Sequence, residues 1–136
     1  QIALTDYDML TSLSSSNPKK LNDGDPNTYI YSYLYYDPQF VIKFKSAKTL
    51  SGVGILSSFT SYGYGVKKVT VETSLDGKSW TNMGTATATT QYDDDTSFPI
   101  VFSTPVKCQY VRLSHIETFD TGDYPCFAIS EIGAYE

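Results

Sequence analysis

The strongest constraint on the fold is a repeated period of two. Over Gln39 to Lys45, Phe40, Ile42 and Phe44 alternate with Val41, Lys43 and Lys45, and Val66 to Thr73 alternates again through Val69 and Val71. Successive side chains of a strand point to opposite faces, so each segment reads as a half-buried β-strand. Asp76-Gly77 follows the second strand as a hairpin signal. Further strands are expected at Phe98 to Phe102, Tyr110 to Ile116 and Phe127 to Tyr135, with Val53 and Ile55 in another apolar segment. Leu10 to Asn17 is polar enough to read as a loop closed by Pro18. Trp80, just past the hairpin turn, is expected to plug the core. About eight short strands separated by turns point to an all-β sandwich or jelly roll.

Composition agrees. Twelve Tyr, 32 Ser plus Thr and only six Ala favour strands over helices. At 136 residues, 40% hydrophobic and 18% charged, the chain suits one folded domain spanning 1–136. A net charge of −5 and a pI near 4.7 argue against nucleic acid or an anionic membrane as the main partner. No stretch approaches the roughly 20 apolar residues of a membrane span. Gln1 opens the sequence with neither a basic nor an apolar leader segment, which is the expectation for a processed chain or a piece of a longer protein. Cys108 and Cys126 match no zinc spacing; free, partly buried thiols are expected, with a disulfide between them on an oxidising export route as the alternative.

Two local patterns carry chemistry. In Lys20 to Thr28 (KLNDGDPNT), Asp, Gly, Asn and Pro force a tight turn whose carbonyls and carboxylates converge. Hard oxygen donors at that density suit Ca²⁺. The pattern is no EF-hand: counting from Asp23, Thr28 stands where Gly is needed and Leu34 where the closing Glu is needed. A metal-free Asp/Gly turn accounts for these nine residues equally well. The second pattern is aromatic. Tyr29, Tyr31, Tyr33 and Tyr35 recur at period two, which would put all four on one face of a strand. A second aromatic loop holds Phe59, Tyr62 and Tyr64, and a third runs from Phe119 to Tyr124. Tyrosine offers a flat apolar ring and a hydroxyl together, as a wet ligand such as a sugar requires. Packing in the core or at its rim is the plainer role, and is expected of Tyr29.

Several segments in order resemble a discoidin (coagulation factor V/VIII type C) domain, in its bacterial branch called carbohydrate-binding module family 32. They are Leu21 to Tyr29 (LNDGDPNTY), Val66 to Val71 leading into Ser74 to Trp80 (SLDGKSW), Gln109 to Leu113 (QYVRL) and Ile129 to Ile132 (ISEI). Lys43-Phe44-Lys45 departs from the family, which usually shows an Asp-Leu-Gly-like segment there. The resemblance implies an eight-stranded antiparallel jelly-roll β-sandwich with a structural calcium. Carried over, the Lys20 carbonyl, the Asp23 carboxylate, the Asp25 carbonyl, Thr28, the Ser130 carbonyl and Glu131 would hold the ion. Glu131 lies in an apolar run, where an unpaired carboxylate is costly; a solvent-facing Glu on an edge strand is the alternative.

The resemblance further implies a noncatalytic module that tethers a glycoside hydrolase of the hexosaminidase or chitobiase type to a galactose- or amino-sugar-containing glycan. It would be secreted, periplasmic or at the cell surface, and monomeric, without nucleic acid or membrane insertion. Tyr31, Tyr33, Tyr35, Phe59, Tyr62, Tyr64 and Tyr124 are the candidate sugar contacts. Galactose-type members read their sugar with His and Trp from the first loop and Arg and Asn from the second. The corresponding positions here are Tyr31, Leu34, Ser58 and Gly63, so that set is replaced. A protein- or lipid-adhesion domain and a ligand-free spacer are the alternatives, and loops with almost no Lys or Arg disfavour phospholipid. Catalysis has little support: His115, the lone histidine, falls on an expected strand, and no nucleophile elbow or phosphate loop is present. Asp93 to Asp95 reads as a solvated acidic loop.

Overall fold

The computed structural model describes residues 1–94 and 96–136. Seven strands run among them: β1 (Tyr7–Thr11), β2 (Ile30–Tyr33), β3 (Phe40–Ser57), β4 (Val66–Ser74), β5 (Thr81–Thr87), β6 (Ser97–Thr118) and β7 (Cys126–Tyr135). Short 3₁₀ turns lie at Pro18–Asn22, Leu34–Tyr36 and Thr60–Tyr62. All strand pairings are antiparallel.

Two strands are long enough to serve both layers of the sandwich. The first part of β3 pairs with β1 and with Tyr110–Leu113 of β6, which continues into β4 and β5. Its second part, from Gly52, pairs with β7 and with Ser97–Val101 of β6, and β2 closes that side. The register breaks between Lys43 and Lys48 and between Leu50 and Gly52 let the sheet bend over on itself. Eight short strands were expected. The difference arises because alternation reports which face a side chain takes, and not where a strand bends while keeping its ladder.

The core lies between the layers. Phe40, Ile42, Phe44, Val69, Val71, Val111 and Leu113 face Ile55, Phe127, Ile129 and Ile132, all buried. Phe40 meets Phe127 edge-on across the gap at 5.9 Å, and the Tyr7 hydroxyl donates to the Ile132 carbonyl at 2.8 Å. Each such apolar side chain contributes roughly 1.5–3 kcal/mol. Gly52 is required where the backbones crowd, since a Cβ there would stand 2.4 Å from the Ile100 carbonyl oxygen.

Three expectations are corrected. Leu10 and Thr11 belong to β1 and not to a loop, paired with Val41 and Phe40. Trp80 does not plug the core: it is half-buried on the outer face, under the Arg112 guanidinium at 4.2 Å and edge-on to Tyr110. Arg112 forks onto both carboxylate oxygens of Glu72 at 3.0 Å, so this face is organised by a planar ion pair that the indole covers. The tyrosine alternation also ends early, because β2 stops at Tyr33 and Leu34–Tyr36 turn as a 3₁₀ segment. Both cysteines are free and fully buried, and burial pushes the Cys108 thiol up to about 11.

Candidate functional site

Five rings converge beside the end of β2. Tyr29, Tyr31, Phe59, Tyr62 and Tyr64 line an open basin of about 270 Å³. Tyr31 meets Tyr64 at 5.5 Å, Tyr64 stacks on Tyr62 at 5.8 Å, and Tyr29 meets Phe59 edge-on at 4.9 Å. The Tyr31 hydroxyl lies 3.5 Å from the Cys126 sulfur, and with Tyr64 this holds its phenol above the ordinary range.

The loop carrying three of these rings is anchored at many points. Ser58 N–H donates to the Ala128 carbonyl and Ala128 N–H to the Tyr64 carbonyl, tying both ends of the loop to β7. Asp94 Oδ1 accepts from the Thr60 amide and hydroxyl, each at 2.6 Å, and Gln91 Nε2 donates to the Thr60 carbonyl. Tyr92 donates to the Val66 carbonyl at 2.9 Å beneath it. Phe59 sits at φ +56, a strained value for a bulky residue that persists only where its surroundings impose it. Gly63 is at φ +83 against the Asp120 backbone, where a Cβ would come within 3.1 Å.

A polar recess adjoins the basin. Asn27, Ser58 and Asp94 line it with Pro26, and it shares Tyr29 and Phe59 with the aromatic floor. Ring faces and hydrogen-bonding groups are thus presented side by side, the arrangement that an amphipathic ring-shaped ligand requires.

Of the aromatic candidates, Tyr31, Phe59, Tyr62 and Tyr64 come together. Tyr29, expected in the core or at its rim, is half-buried and joins them. Tyr33 and Tyr35 stand outside the basin, each against Tyr36. Tyr124 is exposed and outside it as well, and Phe119 of the same loop turns to Tyr92. Asp94 was expected only as part of a solvated loop; its proximity to Thr60 depends on a contact 34 residues away, which no local pattern reveals. Asp95 lies outside the described residues. Leu34 packs against the core, and His115 is exposed on β6 at φ +50, where the register with β4 shifts.

The acidic turn lies directly before the basin. Asn22 holds it down, donating to the Leu4 and Tyr7 carbonyls, while Leu21 is fully buried. The Asp23 carboxylate accepts from the Thr28 hydroxyl and the Asp25 amide, and the Thr28 hydroxyl also lies 3.0 Å from the Asp25 carbonyl. The Thr28 bond first, with the amides of Asp25 and Asp23 and the Lys20 charge, holds Asp23 below the ordinary carboxylate range against an opposing desolvation. Glu131 reaches the same turn from β7, just after Ser130, where the register with β3 shifts. Burial pushes its carboxyl up, the charges of Asp23 and Asp25 push the same way, and only the Gly24 amide opposes them.

Glu131 Oε1 is buried without a hydrogen-bond partner among the described residues. Among those residues no three Asp, Glu, His or Cys side chains form a metal cage by themselves. A cation here must therefore draw on carbonyl and hydroxyl oxygens, as Ca²⁺ does. An orphaned carboxylate oxygen facing two more acids and a carbonyl-rich turn fits that demand. Lys20 lies in the 3₁₀ turn entering Asp23, so the two remaining expected donors, the Lys20 and Ser130 carbonyls, belong to the segments that flank the acids.

The model of the F5/8 type C domain family matches residues 8–132. The chain is similar to a solved CBM32-3 module from a family 31 glycoside hydrolase of Clostridium perfringens, at TM-score 0.82 and 21% identity over 98% of this chain and 93% of that one. It is also similar to CpGH89CBM32-5 from Clostridium perfringens, in complex with GalNAc-β-1,3-galactose (TM-score 0.78, 14% identity, 99% of both chains). The family 32 module of NanJ from the same organism, in complex with galactose, gives TM-score 0.77 at 15% identity over 99% of this chain and 97% of that one. No curated protein matches. At these identities the likeness shows the fold, a β-sandwich shared along nearly the whole chain. With the family model spanning nearly all of the sandwich, the chain belongs to the F5/8 type C domain family.

Proposed function

We propose that the domain is a noncatalytic carbohydrate-binding module whose sugar sits on the basin of Tyr29, Tyr31, Phe59, Tyr62 and Tyr64. The observation that carries this reading is the shared border between that floor and the recess of Asn27, Ser58 and Asp94. A pyranose packs its C–H face on the rings and turns its hydroxyls to the amide, hydroxyl and carboxylate. The sugars named in the similar complexes, galactose and GalNAc-β-1,3-galactose, support a galactose- or amino-sugar-containing glycan. Binding to a shallow wet site is weak, and its use is to raise the effective concentration of a linked glycoside hydrolase at its substrate. Such a module works as a monomer outside the cell.

The acidic turn, in this reading, holds a structural Ca²⁺ through the Lys20, Asp25 and Ser130 carbonyls, the Asp23 and Glu131 carboxylates and the Thr28 hydroxyl. The ion supplies compensating charge and ties the turn to β7.

NMR titration with galactose, N-acetylgalactosamine and N-acetylglucosamine tests the sugar site. Shifts confined to residues 27–31, 58–64 and 91–94 are expected, with at least about tenfold weaker binding for Tyr31→Ala and Tyr62→Ala. Tyr62 is 69% exposed, so that variant keeps its fold. Silent loops at saturating sugar would overturn the reading.

A further inference from the structure

The aromatic surface extends beyond the basin. From Tyr62 the rings pass to Tyr64 at 5.8 Å and from Tyr64 to Tyr31 at 5.5 Å. Tyr31 and Tyr33 share the exposed face of β2, about 7 Å apart along the strand. Tyr33 then meets Tyr36 at 6.3 Å, and Tyr36 meets Tyr35 at 5.7 Å. Tyr35 at the far end is the most exposed of these rings, 88% accessible, and Tyr36 beside it is 60% accessible.

This outer step is held in place. The Leu34 amide donates to the Pro125 carbonyl and the Asp37 amide to the Leu34 carbonyl, both at 2.9 Å, and Asp37 closes the turn at φ 49. Leu34 packs against the core. Rings on a pinned turn lose little freedom when a ligand settles on them, which is how preorganisation adds affinity.

The charge pattern limits the ligand. Residues 29–36 and 59–64 contain no charged side chain, and the charged residues that follow or border them, Asp37 and Asp94, are acidic. Lys67 is turned over the Phe119 ring, a ring that faces Tyr92 and not the basin. A uronate on this surface would meet acids and no cation.

We infer that the row of tyrosines reads an uncharged oligosaccharide, with a terminal sugar in the basin and the following sugars on Tyr33, Tyr36 and Tyr35. The inference rests on the carbohydrate reading and adds ligand length and charge to it. Tilted phenols with centroids 5.5–6.3 Å apart, each with a hydroxyl at its edge, offer a succession of ring faces and polar rims to the alternating C–H and O–H surfaces of such a chain.

Calorimetry on the whole domain tests it, with galactose and N-acetylglucosamine oligomers from monomer to tetramer and oligogalacturonates of equal length. Neutral tetramers are expected to bind about tenfold tighter than monomers, which is about 1.4 kcal/mol, and the oligogalacturonates more weakly than either. Tyr35→Ala and Tyr36→Ala should erase the length gain and leave monomer affinity intact, while Tyr35→Phe keeps most of the gain. Equal affinity for monomer and tetramer overturns the extended surface and leaves the carbohydrate reading standing. Equal binding of oligogalacturonates overturns the charge selection. No binding of any sugar overturns both readings. Sedimentation that finds a dimer dissociated by Tyr35→Ala assigns the patch to a second copy and overturns the inference.

Discussion

Two neighbouring regions at one end of the sandwich meet opposite physical problems. In the turn from Lys20 to Thr28 the difficulty is charge: Asp23 and Asp25 approach Glu131, whose Oε1 has no partner among the described residues. In the basin the difficulty is apolar surface: five rings line an open floor, three of them on a loop tied to β7 at both ends. A buried unpaired oxygen asks for a cation, and an exposed rigid ring face asks for a ligand with C–H surface. The comparison teaches that the first region should answer to metal through stability, and the second to sugar with little change in stability.

The largest expected effect breaks or sharpens that separation directly. Ca²⁺ at 100 times its dissociation constant would add about 2.7 kcal/mol. With about 2.1 cal/mol/K per residue at the midpoint, that raises the melting temperature by about 9 °C over the chelated protein. Glu131→Gln should abolish the rise, and in chelator it should melt no lower than the unsubstituted domain because the uncompensated charge is gone. Tyr62→Ala should keep the full calcium response. Differential scanning calorimetry with and without chelator measures all three, and identical curves for the unsubstituted domain would remove the metal from the turn.

Gly63→Ala tests the junction between rigidity and binding. Its φ of +83 and the 3.1 Å approach to the Asp120 backbone make any Cβ strained. The left-handed conformation alone costs about 1–2 kcal/mol, or roughly 3–7 °C at the entropy per residue used above. Because Tyr62 and Tyr64 flank this residue, sugar affinity should fall with stability, unlike in Tyr62→Ala. A variant that melts earlier yet binds galactose unchanged would show that the loop conformation is not what positions the rings.

How far these regions were legible in the sequence differs for the same reason. The acidic turn is built almost wholly from consecutive residues, so Asp23, Asp25 and Thr28 could be grouped by eye, and Glu131 stood out as an acid in the apolar run Ile129–Ile132. The strands were legible through Phe40-Ile42-Phe44 and Val69-Val71, whose alternation survives in the buried set. The basin was harder. Period two put Tyr35 with Tyr31, but the chain leaves β2 at Tyr33 and turns, and a face argument fails once the strand ends. Tyr29 entered the basin by meeting Phe59, and Asp94 reached Thr60 across 34 residues; both depend on tertiary approach. Trp80 was misplaced because its partner, the Arg112–Glu72 pair, joins two strands distant in sequence.

The smallest expected effect is in the pH dependence, and it separates the two acids of the turn. Asp23 is held below its ordinary value of 3.8, chiefly by the Thr28 hydroxyl, so its contribution is present above pH 3.8 and is lost as pH falls through the lowered value. Glu131 is pushed above its ordinary value of 4.5, chiefly by burial. The folded state then binds the proton more readily than the unfolded chain, and stability is lost as pH rises from 4.5 through the raised value. In chelator, the two limbs should oppose each other: a gain on leaving strong acid and a shallow loss above pH 4.5. The Asp23 limb is small because its carboxylate is exposed and screened by solvent, and the Glu131 limb because that residue is only partly buried. Glu131→Gln should remove the descending limb alone, Asp23→Asn should flatten the ascending one, and Ca²⁺ should abolish the descent without any substitution. Urea melts across pH 3 to 7 read these slopes. A descent that persists in Glu131→Gln would mean that another group carries the charge penalty of this turn.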